Sequence, residues 1–354
     1  MDALISTKRR TVLQALGAAA LAGGCADAVT PAAAPRPQTH FAGATMGTGY
    51  LVKLAGAAVP PAREAAARVE VQSAFDGVVA RMSVHDAASE LSRFNRHASS
   101  APFALSTDTL RVLALARAVS EESGGAFDIT VGSLVDAWGF GPSRHATIPP
   151  AERIRALMAD VGYGRIAIDA SAGTASKHQG TLAVDLSGIA KGYGVDLAAI
   201  ALERLGFADY MVEAGGEVRT RGRNAAGQPW QIAIERPDAV PQRAHFIVPL
   251  SGQAMATSGD YRIYFEWDGR RYAHEIDPST GAPTDHRLAS VTVVAPDCAY
   301  ADAMATALFV LGPERGPALA ARRGIAAYFI ARGSSGSFDN QRSPAFVALG
   351  GSLA

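Results

Sequence analysis

Cysteine is almost missing from this chain: two residues, Cys25 and Cys298, in 354. They stand far apart, and a chain long enough to build a real core needs no disulfide framework. Net charge is missing too, with 33 Lys+Arg against 33 Asp+Glu. That balance gives no electrostatic footprint for nucleic acid. Past the N-terminus no apolar run is long enough to cross a membrane, and no repeat recurs at solenoid period. What is present is material for one large or two ordinary domains. The 36 glycines and 19 prolines, with 48% hydrophobic residues, describe a globular protein with many tight turns.

The N-terminus reads as an address. Lys8, Arg9 and Arg10 precede the Ala/Gly-rich stretch 15–24, the pattern of a twin-arginine export signal. Ala22-Gly-Gly-Cys25 resembles a lipobox, which would place a lipid anchor on Cys25. Ala26-Asp-Ala28 would equally serve a peptidase that leaves no lipid. A lone cysteine at the end of the apolar region tips the reading towards the anchor. Residues 1–28 are then the signal, 29–40 a Pro/Ala linker, and 41–354 the working domain. The expected location is the periplasm, with the membrane reached only through the anchor.

The mature chain is organised around residues 184–194, Val-Asp-Leu-Ser-Gly-Ile-Ala-Lys-Gly-Tyr-Gly. The apolar run 181–186 reads as a buried strand, paired with 165–169, and 189–205 reads as a helix. Unpaired N–H groups and the positive dipole end at that helix start suit a phosphate. Lys191 adds a mobile positive charge one turn in, and Asp185 is a ligand contact or a helix-capping aid.

Around it, 41–54 reads as a strand interrupted at Met46-Gly-Thr-Gly49, and 61–82 as an amphipathic helix. A second helix starts at Ser106 or Thr107 and stops at Gly124-Gly125. Short helical pattern covers 150–158. One strand is expected over 210–221, and 230–235 and 245–250 continue the sheet. Asp268-Gly269 joins 261–267 to 271–276 in a hairpin. A strand at 288–295, helices at 300–311 and 313–323, and strands at 326–330 and 344–349 close the chain. Antiparallel-looking strand pairs with irregularly interleaved helices make the fold class α+β, with mixed, largely antiparallel sheets.

Three sets of side chains can carry chemistry. Asp302 and Thr306 lie four apart on one helix, so a carboxylate and a hydroxyl share a face. Oxygen ligands of that kind suit Mg²⁺ or Ca²⁺; the plainer alternative is a surface Asp at a helix start and a core-packed Thr. His274, just before the Asp277-Pro-Ser-Thr-Gly turn, is a proton acceptor or a hydrogen-bonded structural histidine. Thr257-Ser-Gly-Asp-Tyr261 reads as a polar, Gly-broken link between strands.

Taken in order, these segments resemble the ApbE family. The resemblance rests on Met46-Gly-Thr, Ser89-Glu-Leu-Ser-Arg-Phe-Asn95, Gly125-Ala-Phe-Asp-Ile-Thr130 and Asp185-Leu-Ser-Gly-Ile-Ala-Lys-Gly-Tyr193. It continues through Gly215-Gly-Glu-Val, Ala256-Thr-Ser-Gly-Asp-Tyr261, His274-Glu-Ile-Asp-Pro-Ser-Thr-Gly281 and Asp302-Ala-Met-Ala-Thr-Ala-Leu308. It covers roughly residues 41–330. The family implies an exported, metal-dependent FAD:protein FMN transferase that splits FAD, links FMN through phosphate to a Thr or Ser, and releases AMP.

By that resemblance Met46, Ala126, Phe127, Asp128, Asp185, Lys191 and Ile276 contact FAD. Gly188 through its backbone, with Asp302 and Thr306, holds Mg²⁺, with Ca²⁺ or Mn²⁺ as alternatives. His274 is the base, and Lys191 stabilises charge on the phosphates. The implied acceptor is a redox subunit of a membrane electron-transport system, of Rnf/Nqr or NosR-like type. The alternatives are an FAD pyrophosphatase using water at the same site, or a non-enzymatic FAD-binding lipoprotein. This chain departs from the family pattern at His85, where Tyr or Trp is usual. It also has Glu213 where Asn is usual, and Glu217 for a frequent Asp.

Overall fold

The computed structural model describes residues 35–143 and 147–354; the expected export signal and Cys25 lie outside them. Its centre is an antiparallel sheet of eight strands, which lie side by side in the order the chain makes them. They are β1 (Gln38–Thr45), β2 (Thr48–Ala55), β3 (Tyr210–Ala214), β4 (Glu217–Arg221), β5 (Ala254–Gly259), β6 (Leu288–Ala295), β7 (Ala326–Arg332) and β8 (Phe338–Arg342). The helices that matter here are α1 (Pro61–Met82), α2 (Glu90–Arg96), α3 (Thr107–Ser123), α4 (Ala190–Arg204) and α5 (Cys298–Arg323). The fold class is α+β, as the alternating patterns require.

Period-two alternation gives the sheet two covered faces. Val212 and Ala214 of β3 join Val52 and Leu54 of β2 against α1 and α4. Met211 points the other way, with Val218, Met255, Val294, Tyr328 and Ile330. That second face is covered by a three-stranded sheet of Trp230–Glu235, Ala244–Leu250 and Ser352–Leu353. Strand β6 is buried at all eight positions, as a strand covered on both faces must be.

Local signals explain the helices. The Ser106 hydroxyl accepts from Thr109 N at 3.3 Å, and Gly124 ends α3 in the left-handed region at φ 66. In α5, Gly312 breaks the helix (φ 79, ψ −176) before Pro313, so the two expected helices meet at an angle-forming glycine.

Several expectations give way. The run 181–186 joins no ladder, and Ile166–Asp169 pairs instead with Thr174–Lys177. Asn95 holds the run in place of a strand: its amide donates to Val184 O and its carbonyl accepts from Val184 N, both at 2.8 Å. Residues 210–221 form the β3–β4 hairpin, since Gly215 and Gly216 take φ 67 and 107. The interruption at Met46 is also a hairpin turn. Residues 230–235 and 244–250 leave the main sheet, whereas the supposed link at 257–261 begins inside central strand β5. Pro344–Val347 is a helical turn capped by Ser343, and the chain closes on the strand Ser352–Leu353.

Helices α4 and α5 meet backbone to backbone at Gly192. A Cβ there would stand 2.3 Å from Cys298 O and 2.9 Å from Ala299 Cα. Gly192→Ala is expected to cost on the order of 1–3 kcal/mol through overpacking. Urea unfolding should show a lower midpoint at unchanged slope.

Candidate active site

The Asn95 brace fixes the approach to α4. Asp185 N donates to Ile129 O at 2.8 Å, and the Asp185 carboxylate accepts from Ser187 N at 2.8 Å. This Asx turn bends the chain into the helix. Leu186 O then takes both Ile189 N and Ala190 N, at 3.0 and 2.8 Å. Two residues after Ala190, the Gly192 N–H donates to Asp302 Oδ2 at 3.0 Å. The helix start is therefore partly filled by a carboxylate rather than left as a row of free donors.

Asp302 is not a surface charge at a helix start. It is 3% exposed and lies in the second turn of α5. The residue that caps α5 is Asp196 of α4, whose two oxygens accept from Cys298 N at 2.9 Å and Ala299 N at 3.0 Å. Capping from a neighbouring helix cannot be seen in local spacing.

Lys191 reaches into the same corner. Its Nζ lies 2.5 Å from Glu217 Oε1 and 3.8 Å from Asp302 Oδ1. Burial works against its charge, but the Asp302 and Glu217 carboxylates outweigh burial and hold it protonated. Burial pushes both carboxyls up from their ordinary values, with Lys191 pulling back. Glu217 Oε2 is buried without a partner.

One turn along α5, the Thr306 hydroxyl lies 3.0 Å from Ser258 Oγ. A Cβ on Gly188 would stand 3.3 Å from Thr306 Oγ1 and 3.2 Å from Phe127 Cε2. Gly188, Asp302 and Thr306 thus come together with Lys191, and Phe127 closes one side. Among the described residues no cluster of three or more His, Cys, Asp or Glu forms a metal site. The expected donors are one carboxylate, one hydroxyl and one backbone group, so they would not form such a cluster.

His274 stands at a kink between the strands Arg270–Ala273 and Ile276–Asp277. Its Nδ1 lies 3.1 Å from Glu275 Oε2. Burial lowers the imidazole's affinity for a proton, but the Glu275 charge more than reverses this, and the net shift is upward. Lys191 is near enough for its charge to oppose that rise.

The other expected contacts vary in what occupies them. Met46 sits in the β1–β2 turn at φ 44, its Cε 3.1 Å from where a Cβ on Gly194 would lie. Ala126 and Phe127 belong to the core under α3. Asp128 is turned inward: its oxygens accept from Thr130 N at 2.8 Å, Thr130 Oγ1 at 2.6 Å and Tyr163 N at 2.8 Å. Ile276 packs with Leu134, Trp138 and Phe265. His85 is exposed, and Glu213 closes the β3–β4 turn by accepting from Gly216 N at 2.9 Å.

Asn95, Ser258 and Glu275 carried no role in the sequence reading, and Glu217 figured only as a departure. Contacts spanning 26 to 89 residues tie Lys191 to Glu217, Thr306 to Ser258 and Val184 to Asn95.

An oxygen-lined corner with a half-buried lysine at a helix start, and a histidine within reach of its charge, defines an enzyme equipped to handle phosphate esters. The ApbE family model matches residues 46–329. An FAD:protein FMN transferase of Haemophilus influenzae is 44% identical over 314 residues, spanning 87% of this chain and 90% of that protein. The solved structure of the flavin transferase ApbE from Vibrio cholerae superposes with a TM-score of 0.80 at 43% identity. The match spans 89% of this chain and all of that one. The apo flavinyl transferase ApbE of Pseudomonas stutzeri gives a TM-score of 0.80 at 40% identity, spanning 89% and 97%. The chain belongs to the ApbE family.

Proposed function

We propose that this enzyme is an FAD:protein FMN transferase. The acceptor's Thr or Ser oxygen forms a bond to the FMN-side phosphorus of FAD. The pyrophosphate P–O bond to AMP breaks, AMP leaves, and the hydroxyl proton passes to His274. The observation that carries this reading is the convergence of Lys191, Asp302, Thr306 and Gly188 on one corner, with His274 near enough to feel the Lys191 charge. Relatives named for this activity support it across most of the chain.

The corner also fits a divalent cation. With both carboxyls ionised, Asp302 and Glu217 set two negative charges against one on Lys191, and a bound cation would favour that ionised state against the burial that pushes both upward. Carboxylate and hydroxyl oxygens suit Mg²⁺, and Ca²⁺ or Mn²⁺ fit the same donors. Bound there, the ion would supply neutralisation of charge on the pyrophosphate oxygens. Lys191 adds a fixed positive charge beside them, and Phe127 with Met46 would flank the flavin half.

The test is direct. Incubation with FAD, Mg²⁺ and candidate redox subunits should add the mass of FMN to the acceptor and release AMP in equal amount. Release of AMP and FMN with no acceptor modified would favour the pyrophosphatase. Tight FAD binding without cleavage would leave a flavin-binding lipoprotein.

Export and anchoring belong to the same proposal, supported by Arg9, Arg10 and Cys25 in the sequence. Changing Arg9 and Arg10 to Lys should trap precursor in the cytoplasm. Labelled palmitate should join the wild-type protein at Cys25; its failure to do so makes cleavage after Ala28 the better reading.

A further inference from the structure

Glu275 is 5% exposed, and neither of its carboxylate oxygens has a hydrogen-bond partner. The nearest group that could supply one is the His274 Nδ1, itself buried without a partner and 3.1 Å away. A buried carboxylate left bare weakens a fold, so its retention calls for a reason outside stability.

The backbone shows how the pair is made. Neighbours along a regular strand point to opposite faces, but pairing breaks between Ala273 and Ile276, and the two side chains meet at 3.1 Å. The segment is held around that break: Thr284 N donates to Glu275 O at 2.9 Å, and Ile276 pairs with Pro283. The Phe140 ring stands edge-on to the imidazole at 6.4 Å.

We infer that Glu275 is the positioning residue for His274, its carboxylate accepting a hydrogen bond from Nδ1–H so that Nε2 is left as the basic nitrogen. This rests on the reading of His274 as the base. The two groups are within reach without being aligned, which is common for catalytic pairs before substrate is bound. A carboxylate behind a histidine fixes its tautomer and orientation and stabilises the imidazolium formed on proton uptake. The charged groups around the pair are known. Asp260 feels the Glu275 charge and is held by Arg332 at 2.7 and 2.8 Å, with Arg271 close by. Lys191 acts on the imidazole.

The experiment uses the full chain with FAD, Mg²⁺ and an acceptor that wild type modifies. Glu275→Gln is expected to lower transfer about 10- to 100-fold at saturating FAD, with KM for FAD unchanged. Its His274 imidazole, followed by NMR, should titrate at lower pH than in wild type because a neighbouring negative charge is gone. Its melting temperature should be unchanged or higher, and Glu275→Asp should recover part of the rate. An unchanged rate, an unchanged His274 titration, or a rate loss matched by a lower melting temperature overturns the assignment. His274→Ala separates the two readings. If that variant still transfers at full rate, the base reading itself has failed; if it is inactive while Glu275→Gln is normal, only the role of Glu275 falls.

Discussion

Replacing His274 by alanine is expected to suppress flavin transfer ~10²–10⁴-fold, the usual contribution of a positioned base, while FAD hydrolysis falls far less. A threonine hydroxyl has a high pKa and is a weak nucleophile, so its attack needs a group to take the proton. Water also needs deprotonation, but a bound divalent ion can partly activate it. The structure separates the two contributions. His274 sits on its own kink, in contact with Glu275 and Phe140, whereas the Asp302–Lys191–Thr306 corner is built from other elements. Deleting the imidazole should therefore leave that corner intact. The base works when neutral, and its pKa is raised above the ordinary histidine value. Wild-type transfer should consequently fall as pH drops through that raised value, and His274→Ala should lose this limb. AMP release and acceptor mass, followed in parallel, check the prediction. Equal losses in both channels would assign His274 to FAD binding or structure, and undiminished transfer would remove it from the mechanism.

What could be read in the sequence was whatever local chemistry decides. Ser106 and Gly124 set the ends of α3, Asp268-Gly269 set a hairpin, and Gly312 set the break in α5. Apolar runs were less informative. Residues 181–186 have the pattern of a strand, but their burial comes from helical neighbours and from Asn95, which lies 89 residues away from Val184. Residues 344–349 have a similar pattern, yet Ser343 caps them into a helical turn. In the site, Asp302 and Thr306 were found because helical spacing puts them on one face. Glu217 and Ser258 were not, because each meets its partner only when β4 and β5 are laid beside α4 and α5. Glu275 was hidden for another reason: in a continuous strand it would point away from His274.

Asp302→Asn is expected to lower metal-dependent FAD cleavage by about 10³-fold with little change in stability. The argument begins with charge. When Glu217 and Asp302 are both ionised, Lys191 balances one of them, so the Asp302 carboxylate supplies the net negative charge that a divalent cation would need. Asparagine keeps an oxygen for the Gly192 N–H while removing that charge. Alanine is the poorer test, because a buried N–H without an acceptor costs about 1–3 kcal/mol and the fold would change along with the site. The sequence alone suggested otherwise, since a surface Asp at a helix start could be truncated freely. Two measurements decide the matter: Mg²⁺ or Mn²⁺ binding to the protein without FAD, and AMP release with and without a chelator. Loss of both binding and release fits the proposed site. Lost release with metal binding intact would assign Asp302 to holding Lys191 and the start of α4. Full turnover by Asp302→Asn in the presence of chelator would show that the reaction runs on Lys191 and His274 without a divalent ion.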